Sequence, residues 1–266
     1  MRQPDDRPKS DEYERRGGPP PEWQPEDWQS EGPVPSADKA PAAAPTGPPP
    51  VPERPRRKAP RPVADELVRA VGAPTAVKME ARLVDAASAF ERGRPLDTMR
   101  LLRPLLRDAP TVPSVRELAG LALYRLGKWA EAARQLEAFR DMTGSVEQDP
   151  VLADCYRALG RYAKVDALWE ELREASPEPE LMAEGRIVAA GALADRGDVK
   201  GAIRLLEKGP LEPRRSIQTY HLRLWYALAD LHERAGDAPR ARELFARVVE
   251  ADAGLADAAE RLHALG

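Results

Sequence analysis

The chain contains no asparagine, a single cysteine among 266 residues, and few aromatics, which make up 5% of it. One cysteine excludes an internal disulfide and any CxxC metal or redox pair. An excess of either charge is missing too. The 41 Lys and Arg face 44 Asp and Glu, for a formal net charge of −3 and a pI near 5.8. So weak a field gives neither nucleic acid nor anionic lipid a general hold. No window approaches the ~18 consecutive apolar residues of a membrane span, and the opening MRQPDDRPKS lacks the apolar run of a leader peptide. The expectation is a cytoplasmic protein with no membrane partner.

Signatures of catalysis are equally scarce. GxSxG, P-loop and GxGxxG patterns are absent, and HERAG at 232–236 has Gly236 where a zinc-protease helix needs its second histidine. His221 and His232 stand eleven residues apart, roughly 16 Å along a helix, too far to share a metal ion. They read as surface or interface histidines. Cys155 falls on a helix side expected to be packed and reads as an inert buried thiol. No catalytic residue, cofactor or metal site is predicted, and the chain reads as a non-enzyme.

What is present is unevenly distributed. Sixteen of the 28 prolines lie in residues 1–61, a stretch whose aliphatic residues are alanines and two valines. It cannot bury enough apolar surface to offset its ordering entropy, which predicts a disordered Pro-rich tail. Within it EYERRGGPPPEWQPEDWQSEG is acidic and carries Trp23 and Trp28, candidate anchors for a partner or for the protein's own groove. ERPRRKAPR, at 53–61, sets five positive charges against one negative. Arg outnumbers Lys 33 to 8, and with abundant Ala, Gly and Pro this matches the coding bias of a GC-rich bacterial genome.

After Pro62 the pattern turns helical. Val63, Leu67, Val68 and Val71 share one helical face before Gly72. Five further glycines then punctuate the chain: Gly93, Gly127, Gly160, Gly197 and Gly236, at spacings of 34, 33, 37 and 39. Seven residues before each stands a small residue: Ala86, Gly120, Ala153, Ala190 and Ala229. Five after come Thr98, Ala132, Val165, Ala202 and Ala241, and nine after, the bulky Leu102, Leu136, Trp169, Leu206 and Phe245. Two antiparallel helices approach closely only where side chains are small, and the bulky residue a turn later fills the gap between units. In LYRLGKWAEAARQL (123–136), Gly127 therefore stops one helix, Lys128 and Trp129 turn the chain, and Ala132 is the close contact of the next helix.

A helix-turn-helix unit of about 34 residues is the period of the tetratricopeptide repeat, and the chain is identified as a member of that class. The resemblance implies an all-α, right-handed solenoid of about five repeats, starting near Met79, Pro113, Val146, Ala183 and Leu222. The predicted organisation is a tail at 1–61, an N-terminal helix at 62–78, the array at 79–254 and a capping helix at 255–266. The loop KGPLEPRRSIQ (208–218) is expected to mark a local change of superhelix. MTGSVEQDPVLADCYRALGRY (142–162) further resembles a group of uncharacterised actinobacterial tetratricopeptide proteins with "MTGS-E" and "ADC-R-LGR" segments, over residues 62–266. Arg140-Asp141 departs from the Arg-Arg common there, and the group carries no established activity.

In this repeat class the first helix of each unit lines a concave groove. The resemblance places Phe90, Glu117, Leu121, Tyr124, Arg125, Arg157, Ile187, Arg223, Tyr226 and Asp230 there, with Leu83, Ala87, Asp154, Gly191 and Arg234 beside them. Apolar groups interleaved with arginines suit an extended peptide or a partner helix. Tyr124, Arg157 and Tyr226 are expected to face one concave surface as exposed contact residues; the alternative is that both tyrosines pack between adjacent leading helices and Arg157 is solvated. The Lys and Asn of a chaperone-tail clamp are missing, since Glu117 and Pro150 stand where the Lys belongs. The leading expectation is a protein-binding adaptor. The alternatives are a nucleic-acid accessory factor using residues 54–61, and self-assembly or autoinhibition through Trp23 and Trp28.

Overall fold

A computed structural model describes residues 62–266. Trp23, Trp28 and the basic 54–61 segment lie outside the described residues. Those described form helices joined by short turns, with no strand among them. After α1 (Pro62–Val71) come five antiparallel pairs: α2 (Ala73–Glu91) with α3 (Pro95–Asp108), α4 (Pro113–Arg125) with α5 (Trp129–Thr143), α6 (Asp149–Ala158) with α7 (Tyr162–Ala175), α8 (Pro179–Asp195) with α9 (Val199–Glu207), and α10 (Thr219–Arg234) with α11 (Ala238–Ala251). The short α12 (Ala258–Ala264) closes the array. Proline supplies the first turn of α2, α3, α4, α6, α8 and α11, where its missing N–H costs nothing and its fixed φ is already helical.

Each pair is hinged on its glycine in the same way. Gly93, Gly127, Gly160, Gly197 and Gly236 all have φ between 68° and 91°, a region a Cβ makes costly. Each donates its N–H to the carbonyl three residues back, and the next residue donates to the carbonyl five back. Gly127 reaches Tyr124 and Lys128 reaches Leu123, at 2.9 and 3.0 Å. This double bond pattern caps the leading helix and turns the chain at once. It recurs at Phe90/Ala89, Arg157/Tyr156, Ala194/Leu193 and Glu233/His232. Asp198 and Asp237 then cap α9 and α11 by accepting from the N–H of Gly201 and Arg240.

The packing register follows the sequence pattern. Ala86, Ala190 and Ala229, Ala132, Ala202 and Ala241, and Leu102, Leu136, Leu206 and Phe245 are all fully or almost fully buried. The two exceptions to the small-residue rule are accommodated: Val165 is buried, and Thr98 is buried with its hydroxyl donating to the Arg94 carbonyl at 3.0 Å. The core forms a series of clusters along the array rather than a single centre.

Element ends differ from the 34-residue windows. Helix α2 starts at Ala73, ahead of Met79, because Gly72 at φ 77° separates it from α1. The closing helix begins at Ala258, since Ala256 adopts a left-handed φ of 50°. The 208–218 loop is pinned: the Trp225 indole donates to the Leu211 carbonyl at 2.8 Å, and Arg247 lies over that indole while pairing with Glu212.

Leading helices of neighbouring repeats touch one another (α2 with α4, α4 with α6, α6 with α8, α8 with α10), whereas the trailing helices make no comparably extensive contact among themselves. The leading helices therefore form one continuous side of the array.

Candidate functional site

Each leading helix ends beside the end of the neighbouring repeat's leading helix, so its last turn presents side chains to that unit as well as to solvent. Counting back from the break glycine, the residues expected to line a groove fall at positions two, three, six, ten and thirteen. At position two, Arg125 lays its guanidinium 3.8 Å from the centroid of the Phe90 ring and donates to the Phe90 carbonyl at 2.9 Å. Arg234 occupies the equivalent position three repeats later and donates to the Ala194 carbonyl at 3.3 Å. Both arginines thus satisfy an end carbonyl of the preceding repeat's leading helix, where the helix dipole favours a cation.

Between repeats 2, 3 and 4 the face is tied by a polar chain. The Tyr124 hydroxyl donates to Asp154 Oδ2 at 2.6 Å, Arg157 Nε donates to Asp154 Oδ1 at 2.8 Å, and Arg157 Nη1 donates to Asp195 Oδ2 at 2.8 Å. Further along, Arg223 Nη2 lies 2.7 Å from Glu184 Oε2. Arg261 of α12 pairs with Asp230 and Glu233 and donates to the Tyr226 hydroxyl, which itself donates to Asp257. Gln148 donates to Glu117 at 2.7 Å.

The expectation of an exposed contact tyrosine is corrected at Tyr124. It is 2% exposed, edge-on to Trp129, and its hydroxyl is committed to Asp154. Burial and the neighbouring Asp154 carboxylate raise its pKa. The position needs a large ring to fill the space between α4 and α6 and a donor to satisfy Asp154. Leu121 and Leu83 are likewise buried. Phe90, Glu117, Arg125, Arg157, Ile187, Arg223, Tyr226 and Asp230 are half-exposed. Tyr226 packs edge-on against Phe245, and burial together with its bond to Asp257 pushes its pKa up to about 12. What the sequence pattern does not reveal is that the arginines have partners within the chain. That Glu184 and Arg223 share position thirteen in adjacent repeats is the signal that could have paired them.

Glu184 is the titratable group of this face whose environment matters near neutrality. Burial pushes its pKa up to about 7, against the opposing pull of Arg223 and with help from Glu180. One of its oxygens is buried without a hydrogen-bond partner. In the unfolded chain this carboxyl ionises near its ordinary 4.5. Between those values the unfolded state releases a proton that the fold retains, so stability is full below the lower pKa and falls as pH rises to about 7, by on the order of 3 kcal/mol. Glu184→Gln should flatten the slope of urea-melt stability against pH between 5 and 7. An unchanged slope would assign it to other groups.

The chemistry-bearing side chains are otherwise absorbed by packing. Cys155 is fully buried, and burial raises its thiol pKa. Of the two readings for the histidines, surface or interface, the structure shows both packed between helices: His221 Nδ1 accepts from the Gln218 N–H to complete a capping box, and His232 faces Asp237 at 3.1 Å. Their rings fill inter-helix space that the charge pattern does not reveal. Among the described residues no group of His, Cys, Asp and Glu is placed to hold a metal ion, and no helix is long and apolar enough to cross a membrane.

No protein-family model matches the chain, and no curated protein matches it. Solved structures do. A thermophilic TPR protein of Thermus thermophilus aligns with 70% of this chain and 98% of its own, at TM-score 0.56 and 18% identity. A putative kinesin light chain of Podosopora anserina, with nearly identical TPR-like repeats, aligns with 71% of this chain and 94% of its own, at TM-score 0.50 and 18% identity. At such identities the likeness is one of fold: the described residues form a tetratricopeptide-like helical-repeat array.

Proposed function

We propose that residues 62–266 are a non-catalytic scaffold that holds an extended peptide or a partner helix along the concave face of the leading helices. The observation that carries this reading is the fixed geometry of half-exposed arginines and aromatics on that face. Arg125, held by Phe90, spends one of five guanidinium donors on a backbone carbonyl. Donors already held in place lose little entropy when a partner's carboxylate or carbonyl arrives. The half-exposed apolar positions Phe90, Ile187 and Tyr226 supply contact area beside them. The same reading places the protein in the cytoplasm of an actinobacterium, in line with its resemblance to the uncharacterised group.

Gly191 supplies the test. It stands at position six, where other repeats carry Ala87, Leu121, Asp154 and Asp230, and the nearest atoms to a Cβ there belong to the Arg157 side chain, at an ordinary 3.4 Å. A larger side chain would therefore fill the face without disturbing the core. Peptides selected by display against the full chain should bind Gly191→Leu at least about tenfold more weakly, a loss of about 1.4 kcal/mol. The variant should melt no earlier than the parent. Selected peptides that bind the variant equally would place the binding surface elsewhere.

A further inference from the structure

Elsewhere in the array exposed arginines are commonly matched to a carboxylate: Arg94, Arg100, Arg107, Arg173, Arg196 and Arg240 each pair with an Asp or Glu. Helix α9 and the loop after it depart from that pattern. Lys200, Arg204, Lys208, Arg214 and Arg215 are all exposed, and none has an ion-pair or hydrogen-bond partner among the described residues. The acidic groups near them in sequence are committed. Asp198 accepts from the Gly201 N–H, and Glu212 pairs with Arg247. Glu207 is left against five cations. Ala202 and Leu206 bury the opposite side of α9, so Lys200, Arg204 and Lys208, four residues apart, form one outward stripe. The helix dipole does not account for it. Arg204 and Lys208 near the C-terminal end suit the dipole, but Lys200 stands in the first turn, where a cation is disfavoured. Unmatched cations such as Arg103, Arg134 and Arg242 stand on three separate helices.

We propose that the outer face of α9 docks an acidic helical segment of a partner protein. Charge complementarity identifies the occupant. Successive cations of the stripe are roughly 6 Å apart along the axis, the same step as carboxylates at every fourth residue of a partner helix. Each cation then meets one carboxylate, and no donor has to be taken from an internal partner first. Ile203 flanks the stripe half-buried, and Ile217 is 49% exposed in the loop, so apolar contact is on offer beside the charge. Nucleic acid fits less well. Residues 199–218 contain no aromatic side chain on which a base could stack. A stripe of three cations is also short of the roughly six to ten phosphate contacts of a tight duplex binder. This surface lies on a trailing helix and is independent of peptide binding on the leading helices.

Fluorescence anisotropy with the full-length chain tests it, using a labelled synthetic helix that carries glutamate at every fourth residue. The peptide should bind saturably in about 50 mM salt and more weakly in about 200 mM, because exposed charges are screened. An exposed ion pair is worth up to about fivefold in affinity. The triple variant Lys200→Glu, Arg204→Glu, Lys208→Glu should therefore bind at least about tenfold more weakly. The neutral triple Lys200→Gln, Arg204→Gln, Lys208→Gln should weaken binding by a smaller factor. Urea melts should be unchanged in both, since none of the three side chains has a partner to lose. Arg103→Glu, Arg134→Glu, Arg242→Glu makes the same change in net charge on other helices and should stay within about twofold of the parent. Gly191→Leu should leave this peptide's affinity unchanged even where it blocks the leading-helix face. Equal losses in the two glutamate triples, or no saturable binding at the lower salt, would overturn the proposal. Weaker binding by Gly191→Leu would move the peptide to the leading helices. An oligo-dT strand that binds more tightly than the peptide and is lost in the α9 triple would assign the stripe to nucleic acid instead.

Discussion

Replacing Asp154 with alanine is expected to destabilise the array by about 3–5 kcal/mol, the cost typical of removing one partner from a buried charged network. Asp154 is 5% exposed and receives hydrogen bonds from both Tyr124 and Arg157. Without it the Tyr124 hydroxyl is buried with no acceptor in this network, and Arg157 keeps only its pairing to Asp195. Tyr124→Phe alone removes a single bond and should cost about 1–2 kcal/mol. The double variant should fall short of the sum, because the orphaned hydroxyl penalty is counted in both singles. Urea melts followed by circular dichroism measure all three. An Asp154→Ala loss below about 1 kcal/mol, the scale of one ordinary hydrogen bond, would show that the network contributes shape rather than stability.

The second large effect is a contrast in sign between two helical glycines. At Gly120 an added Cβ would lie 2.5 and 2.6 Å from Leu136 Cδ2 and Cγ, and Leu136 is itself buried. The branch carbon cannot move aside without displacing α5 from α4. Overpacking of this kind costs about 1–3 kcal/mol, and Gly120→Val, with two more carbons, belongs at the upper end or beyond. At Gly191 the same first carbon meets only ordinary contact, so Gly191→Ala should stabilise by up to about 1 kcal/mol through helix propensity. Melting midpoints moving in opposite directions confirm the register. Both variants moving together would mean the helix pair is not packed as described.

The fold was readable in advance because its determinants are local and periodic. Gly127 and its four equivalents each need positive φ, and the small residues seven before and five after them have no room to grow, so both constraints act on residue type directly. The candidate site was less readable, because a side chain's role depends on what lies opposite it. Arg125 and Arg234 read as donors for a partner, yet a guanidinium on the last turn of a leading helix reaches the previous repeat's end carbonyls. Tyr124 read as exposed because tyrosines suit interfaces equally well; only the position of Asp154, thirty residues away, decides that it is internal. Glu184 gave no sign in its own type, since nothing distinguishes a buried glutamate from a solvated one; only Arg223 at the same position of the next repeat points to its pairing.

Variation in repeat length is confined to one kind of joint. From seven residues before each glycine to nine after it, the five units keep the same count; the spacings of 37 and 39 arise from lengthening ahead of the breaks in α8 and α10. Each pair behaves as a rigid vertebra, with articulation left to the joints between pairs. Many of the polar ties across those joints join leading helices: Tyr124–Asp154, Arg157–Asp195 and Arg223–Glu184. On the trailing side Arg140 of α5 ties to Glu171 of α7. Bending the column toward its trailing side must stretch the leading-helix ties together, whereas bending it the other way is resisted by the packed side chains of adjoining leading helices.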